Sequence, residues 1–182
     1  MRLSHESIVE PESLRSWRGV KLILLSWLAM LGFDFFLHGG LLAGFYANPS
    51  SFLLTPLESF RRIPIGYLSF LLVAGLLVWI FLRLGVRGWW GGLKVAAGIG
   101  GALWFSLALG LYSISTADPT LLVAWGVGQT LEIAYAGAIL AYGMEMQSLK
   151  KPFVIVLVTT IGLAVLTLVM QSLGLAPTVQ AG

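Results

Sequence analysis

Apolar residues in this chain come in runs about 20 long, the length that crosses a bilayer as a helix, and polar residues gather in the short stretches between them. Five such runs are read: Leu22 to Tyr46, Gly66 to Leu84, Leu93 to Ile114, Pro119 to Met144 and Phe153 to Leu175. The expected fold is all-α, a polytopic transmembrane helix bundle of five spans, with no need of a β-barrel. Residues 1–19 are polar and mixed in charge, and no apolar core with a small-residue cleavage site follows, so they read as a retained cytoplasmic segment rather than a signal peptide. Residues 20–175 make the bundle, and residues 176–182 an external tail.

The basic residues set the expected orientation. Arg2, Arg15, Arg18 and Lys21 precede the first run, Arg83, Arg87 and Lys94 flank the second connection, and Lys150 and Lys151 the fourth, whereas the other side holds Arg61 and Arg62. That asymmetry places the N-terminus in the cytoplasm. It is consistent with an odd number of spans, because every basic-rich segment then falls on one side.

The connections carry their own signals. Within residues 47–64, Thr55 is placed to cap a helix, Pro56 to open it and Glu58 to close a capping box, which predicts a short helix lying in the interface. Arg61 and Arg62 would then reach lipid phosphates; an ordinary solvated connection fits equally well. The turn Ser115 to Asp118 is short, so the third and fourth spans should be antiparallel neighbours, with Thr116 or Asp118 as cap and Pro119 at the first helical position. Trp89 and Trp90, beside Arg87, read as an interfacial aromatic belt.

Small residues recur four apart: Gly40 with Gly44, Ala97 with Gly101, Gly98 with Ala102, Ala124 with Gly128, and Gly137 with Ala141. In lipid this spacing lets helix backbones approach, which predicts a compact bundle, and it also suits a homo-oligomer.

Composition agrees. The 182 residues are 58% hydrophobic and 10% charged, and the mean hydropathy is +0.90, whereas a soluble domain carries about 25% charged residues. A soluble globular protein is excluded. The absence of cysteine removes disulfides, thiolate metal sites and covalently attached haem. Although the pI is 9.5, the basic residues sit in connections where membrane topology accounts for them, so no nucleic-acid partner is expected.

Against this background a few polar residues stand out, because ionisable groups inside a span are costly and demand a partner or a purpose. Asp34 and His38 lie four apart on one face of the first span, and Gln129 and Glu132 three apart on one face of the fourth, with Trp125 and Tyr135 extending the stripe. Asp34 and Glu132 each fall at the middle of a run. At 1.5 Å per residue His38 lies about 6 Å and Gln129 about 4.5 Å outward of that level, so Asp34 is expected to face Glu132, and His38 to face Gln129.

Two carboxyl groups in an apolar medium cannot both stay ionised without a counter-charge. They share a proton, hold a cation, or are met by Arg or Lys, and the basic residues all lie near the membrane surfaces. As ligand types Asp34, His38 and Glu132 with Gln129 would suit a divalent metal such as Zn, Fe or Mn, though without a diagnostic spacing. Structural hydrogen bonding accounts for the four residues as well as a functional site does. Glu145 reads as solvated or paired with Lys150 or Lys151, His5 has no context, and Tyr67, Tyr112 and Tyr142 read as packing or interface residues.

The segments Asp34-Phe35-Phe36-Leu37-His38 with Tyr46, and Trp125-Gly126-Val127-Gly128-Gln129-Thr130-Leu131-Glu132 with Gly137, together resemble a widespread uncharacterised family of small polytopic bacterial inner-membrane proteins. The likeness covers the first four helices. It implies that Asp34, His38, Tyr46, Trp125 and Glu132 belong to one polar feature in a bacterial inner-membrane protein, and it supplies no activity. Where that family often carries a Trp-Arg-Pro element in the first external connection, this chain has Leu54-Thr55-Pro56.

Three functions are compatible with these residues. One is proton, cation or small-solute handling at a midplane Asp/His/Glu site. Another is an accessory subunit of a larger membrane complex, with His38 available to ligate a haem or pigment. The third is a membrane enzyme on a lipid-like substrate with Asp34 and His38 as acid and base. No nucleophile elbow, phosphate-cradling loop or multi-histidine cluster supports the enzyme, and a non-enzymatic site protein is the leading expectation.

Overall fold

In the computed structural model, residues 17–47 and 52–177 are described, and among them every regular element is helical. The order is α1 (Trp17–Phe36), a π-helical segment (Leu37–Leu41), α2 (Ala43–Ala47), α3 (Pro56–Leu84), α4 (Trp89–Ile114), α5 (Pro119–Glu145) and α6 (Lys150–Ser172). Four helices are long and apolar enough to cross a membrane: α1 with its π-helical continuation, α3, α4 and α6. The fifth expected span, α5, is helical over 27 residues, but its glycines, Gln129 and Glu132 dilute its apolar content. It is also the most buried helix, with Ile133, Ala136, Ala138, Ile139, Leu140 and Ala141 all at 1% exposure or less. A helix enclosed by protein can carry polar groups that a lipid-facing helix cannot.

One boundary departs from expectation for a clear reason. Thr55 caps α3 through the capping box, its Oγ1 accepting from the Glu58 amide at 3.4 Å while Glu58 accepts from the Thr55 amide at 3.3 Å, and Pro56 opens the helix. The expected short interfacial helix, however, is not a separate element. It is the first turns of α3, which runs through Pro64 without ending. A proline inside a helix removes one backbone bond, here the one to the Phe60 carbonyl, and in membrane helices that loss is tolerated. Arg61 and Arg62 are exposed on this first stretch of α3. The helix stops at Gly85, whose φ of 64° turns the chain left-handed and returns its amide to the Phe81 carbonyl.

The tightest packing in the bundle is between α4 and α5, and small residues make it. A Cβ on Gly92 would collide with the Gly137 carbonyl and the Ala141 side chain, and one on Gly137 with Ala96. Gly100 sits against Ile133 and Thr130 in the same row. The seam on α4 is therefore Gly92, Ala96 and Gly100; of the expected pairs, Gly98 and Ala102 are exposed, and Gly98 has nothing within 4 Å. The reading of Gly137 with Ala141 matches the α5 side. On α1, Gly32 takes Thr160 of α6, while Gly44, on α2, touches nothing nearby.

Trp89 departs from the aromatic-belt reading as well. Its ring meets Tyr135 and Tyr142 edge-on, each with centroids 6.4 Å apart, whereas Trp90 is exposed as a belt residue would be. Arg18, expected only to mark the cytoplasmic side, bonds the carbonyls of Gly143, Met146 and Gln147. It thus closes the end of α5, where orphan carbonyls need donors. Glu145 is exposed and forms no ion pair with Lys150 or Lys151. His5, Arg2, Arg15 and the expected tail beyond 177 lie outside the described residues.

Candidate functional site

The site begins with a break in a helix. Eight residues of regular α-helix would separate His38 from Tyr46 by about 12 Å along the axis. Instead the chain widens into the π-helical segment, where the Leu42 amide bonds the Leu37 carbonyl at 2.8 Å, and then restarts as α2. This irregular path brings the Tyr46 hydroxyl to 2.6 Å from His38 Nδ1, with ring centroids 5.4 Å apart. Single π-turns of this kind are frequent at functional positions. Within the segment Gly39 and Gly40 leave room for Thr167 and Met170 of α6, and Gln171 donates to the Gly39 carbonyl at 3.0 Å.

Around His38 the contacts form one chain. Asp34 Oδ1 lies 3.2 Å from His38 Nε2, and the Gln129 amide nitrogen, from α5, lies 3.0 Å from the same Nε2. Trp125, one turn earlier on α5, places its indole nitrogen 2.6 Å from the Tyr46 hydroxyl, and Phe52 lies beside that indole at 6.3 Å. Gly128 permits the approach of α1, since a Cβ there would strike the Leu37 side chain.

The donors and acceptors fix the proton order. An indole N–H only donates, so Tyr46 accepts from Trp125; giving its own hydrogen to His38 Nδ1 satisfies that hydrogen, whereas a donating Nδ1–H would leave it unused. The imidazole hydrogen then sits on Nε2 and is directed to Asp34. The Gln129 amide nitrogen, 3.0 Å from the same ring nitrogen, also bonds the Asp34 carboxyl, so its hydrogens are directed to that carboxyl and do not oppose the ring N–H. Gln129 Oε1 is buried without a hydrogen-bond partner.

Glu132 lies one turn along the same face of α5 and is wholly buried. Neither of its carboxyl oxygens has a hydrogen-bond partner, and it lies within electrostatic range of Asp34. A buried carboxyl without donors is among the most costly arrangements a fold can hold. Among the described residues the one ion pair within 4 Å is Asp34 with His38, so no Arg or Lys neutralises the carboxyls directly.

The residues nominated from sequence separate into two groups. Asp34, His38, Tyr46, Trp125 and Gln129 form a continuous hydrogen-bonded string, with Glu132 beside it. Tyr135 stands apart: its hydroxyl bonds Thr159 of α6 and its ring packs on Phe33 and Trp89. As for a metal, no group of three or more His, Asp or Glu side chains among the described residues is arranged to hold one. Both His38 nitrogens are already engaged. Two residues escaped sequence reading, Gln171 and Thr167, although a glutamine near the end of an apolar run was the available signal. Trp27, which donates to the Tyr67 carbonyl at 2.7 Å and ties α1 to α3, gave no signal among its apolar neighbours.

Compared with known protein families, with curated proteins and with solved structures, the chain matches none. The family likeness therefore rests on the quoted residues themselves.

Proposed function

We propose that this chain is a five-span integral protein of a bacterial inner membrane, with its N-terminus in the cytoplasm, that handles protons through Asp34, His38 and Glu132. The observation that carries the reading is the imidazole of His38, bonded on one nitrogen to a carboxyl and on the other to a tyrosine hydroxyl. Such a ring passes a proton without moving: Nδ1 takes hydrogen from Tyr46 as Nε2 gives its own to an ionised Asp34, and the phenol oxygen of Tyr46, which is only partly buried, regains a proton from solvent. Glu132 is the inner station, a carboxyl held near Asp34 with free lone pairs. A proton is favoured over a metal cation because the imidazole nitrogens are both occupied and no three-ligand group is gathered among the described residues.

Arg61 and Arg62, exposed at the outer start of α3, are proposed to contact lipid phosphates. The small-residue seams leave the outer faces of α4 and α6 to lipid or to further copies of the chain.

Proton flux into proteoliposomes loaded with a pH-sensitive dye tests the proposal. Asp34→Asn and Glu132→Gln are expected to remain folded and to lose the flux, and wild-type vesicles no leakier than empty ones would sink it. The native mass of the protein released gently from its membrane adds the assembly state. A heteromeric complex would move the function to that complex and make this chain an accessory subunit.

A further inference from the structure

Toward the opposite end of α1 from His38 lies a feature the proton site does not use. A groove of about 370 Å³ runs between α1 and the start of α6, walled by Leu24, Leu25 and Leu28 on one side and Leu149 and Phe153 on the other. Lys21 and Lys150 complete its lining, both exposed. Among the described residues neither lysine pairs with a carboxylate.

The chemistry of the groove is divided. Its body offers only hydrocarbon side chains, which exclude a polar solute but suit an acyl chain, while two exposed lysines from different helices, Lys21 and Lys150, stand at its edge. A phosphate shared between them is neutralised by both. A zwitterionic headgroup would bring its own cation toward theirs, so an anionic headgroup is the complement.

We propose that this groove binds one anionic glycerophospholipid, its acyl chain against Leu24, Leu28 and Phe153 and its phosphate between Lys21 and Lys150. The two lysines then do more than reach outward to the interface as isolated lysines do. They clip α1 to α6 through a lipid, at the end of the bundle where Arg18 also ties α1 to the end of α5.

The test is lipid retention by native mass spectrometry after release from nanodiscs of equal phosphatidylglycerol and phosphatidylcholine. One phosphatidylglycerol should be retained in preference. Each lysine near an anionic surface contributes about 1 kcal/mol, or about fivefold, so the preference should fall by that factor or more in Lys21→Ala/Lys150→Ala. It should persist in Lys21→Arg/Lys150→Arg and in Arg61→Ala/Arg62→Ala. Leu28→Trp, which fills the groove and leaves both lysines, should also lose the retained lipid while keeping its melting temperature. Equal retention of the two lipids, a preference unaffected by the double alanine or by Leu28→Trp, or one lost as readily with Arg61 and Arg62, would each overturn the assignment.

Discussion

The indole nitrogen of Trp125 stands 2.6 Å from the hydroxyl of Tyr46, a residue 79 positions earlier in the chain. Because an indole can only donate, Tyr46 accepts from it, and the arrangement that then satisfies the Tyr46 hydrogen runs from Tyr46 through His38 to Asp34. The local break after Phe36 and the packing of α1 on α5 thus act on one chemical property, the tautomer of a histidine.

That tautomer is directly measurable. In a His5→Gln background His38 is the sole histidine, and its ¹⁵N shifts should report hydrogen on Nε2. Tyr46→Phe removes the donor to Nδ1, so the signal should move toward a mixture of tautomers. It removes two hydrogen bonds, the one to His38 and the one from Trp125, and should cost about 1–3 kcal/mol of stability. A wild-type spectrum with hydrogen on Nδ1 would refute the network.

Glu132 separates function from stability. A wholly buried carboxyl with no partner destabilises the fold, and replacing such a group by an apolar one of similar size is commonly neutral or stabilising. Glu132→Met should therefore melt no lower than wild type, and up to about 1 kcal/mol more stably, while abolishing proton flux. A loss of about 2 kcal/mol or more would mean that Glu132 has structural partners and that the site reading is wrong.

The bundle itself was legible because bilayer-length apolar runs and caps are local properties. Thr55, Glu58, Asp118 and Pro119 could be placed from sequence alone, and each acts within one turn of where it stands. The meeting of His38 with Gln129 was approachable by depth counting, since both helices were assumed regular about the midplane. What stayed hidden depends on three dimensions. Pro64 looks like a stop until it is seen that α3 continues through it. The π-helical turn has no periodicity signature, so the approach of Tyr46 to His38 could only be inferred as a resemblance. The α4 seam was misassigned by one helical face, because Gly92, Ala96 and Gly100 compete in sequence with equally spaced small residues that face outward.

That seam makes a paired prediction. Gly137→Ala puts a methyl group into Ala96 and the Gly92 carbonyl, and overpacking of this kind costs about 1–3 kcal/mol. Gly98→Ala meets nothing within 4 Å and removes backbone freedom from the unfolded chain, so it should be neutral or stabilise by up to about 1 kcal/mol. Thermal melts in one detergent compare the two, and equal effects would contradict the seam.

Asp118 gives a pH dependence at the turn between α4 and α5. Its Oδ1 accepts from the amides of Thr120 at 2.6 Å and Leu121 at 3.3 Å, and these backbone hydrogen bonds hold its carboxyl below the ordinary value of 3.8. Such bonds favour the ionised form, and the positive end of the α5 dipole acts in the same sense. A depressed folded-state pKa gives stability that is present above the unfolded value and is lost as pH falls through the folded value. Asp118→Asn keeps a capping oxygen but no charge. The melting temperature of wild type should therefore exceed that of Asp118→Asn at neutral pH, and the gap should close as pH falls below 3.8. Asp118→Ala, with no cap, should melt below both throughout. A gap between wild type and Asp118→Asn that persists unchanged into strong acid would show that the charge at this cap contributes nothing to it.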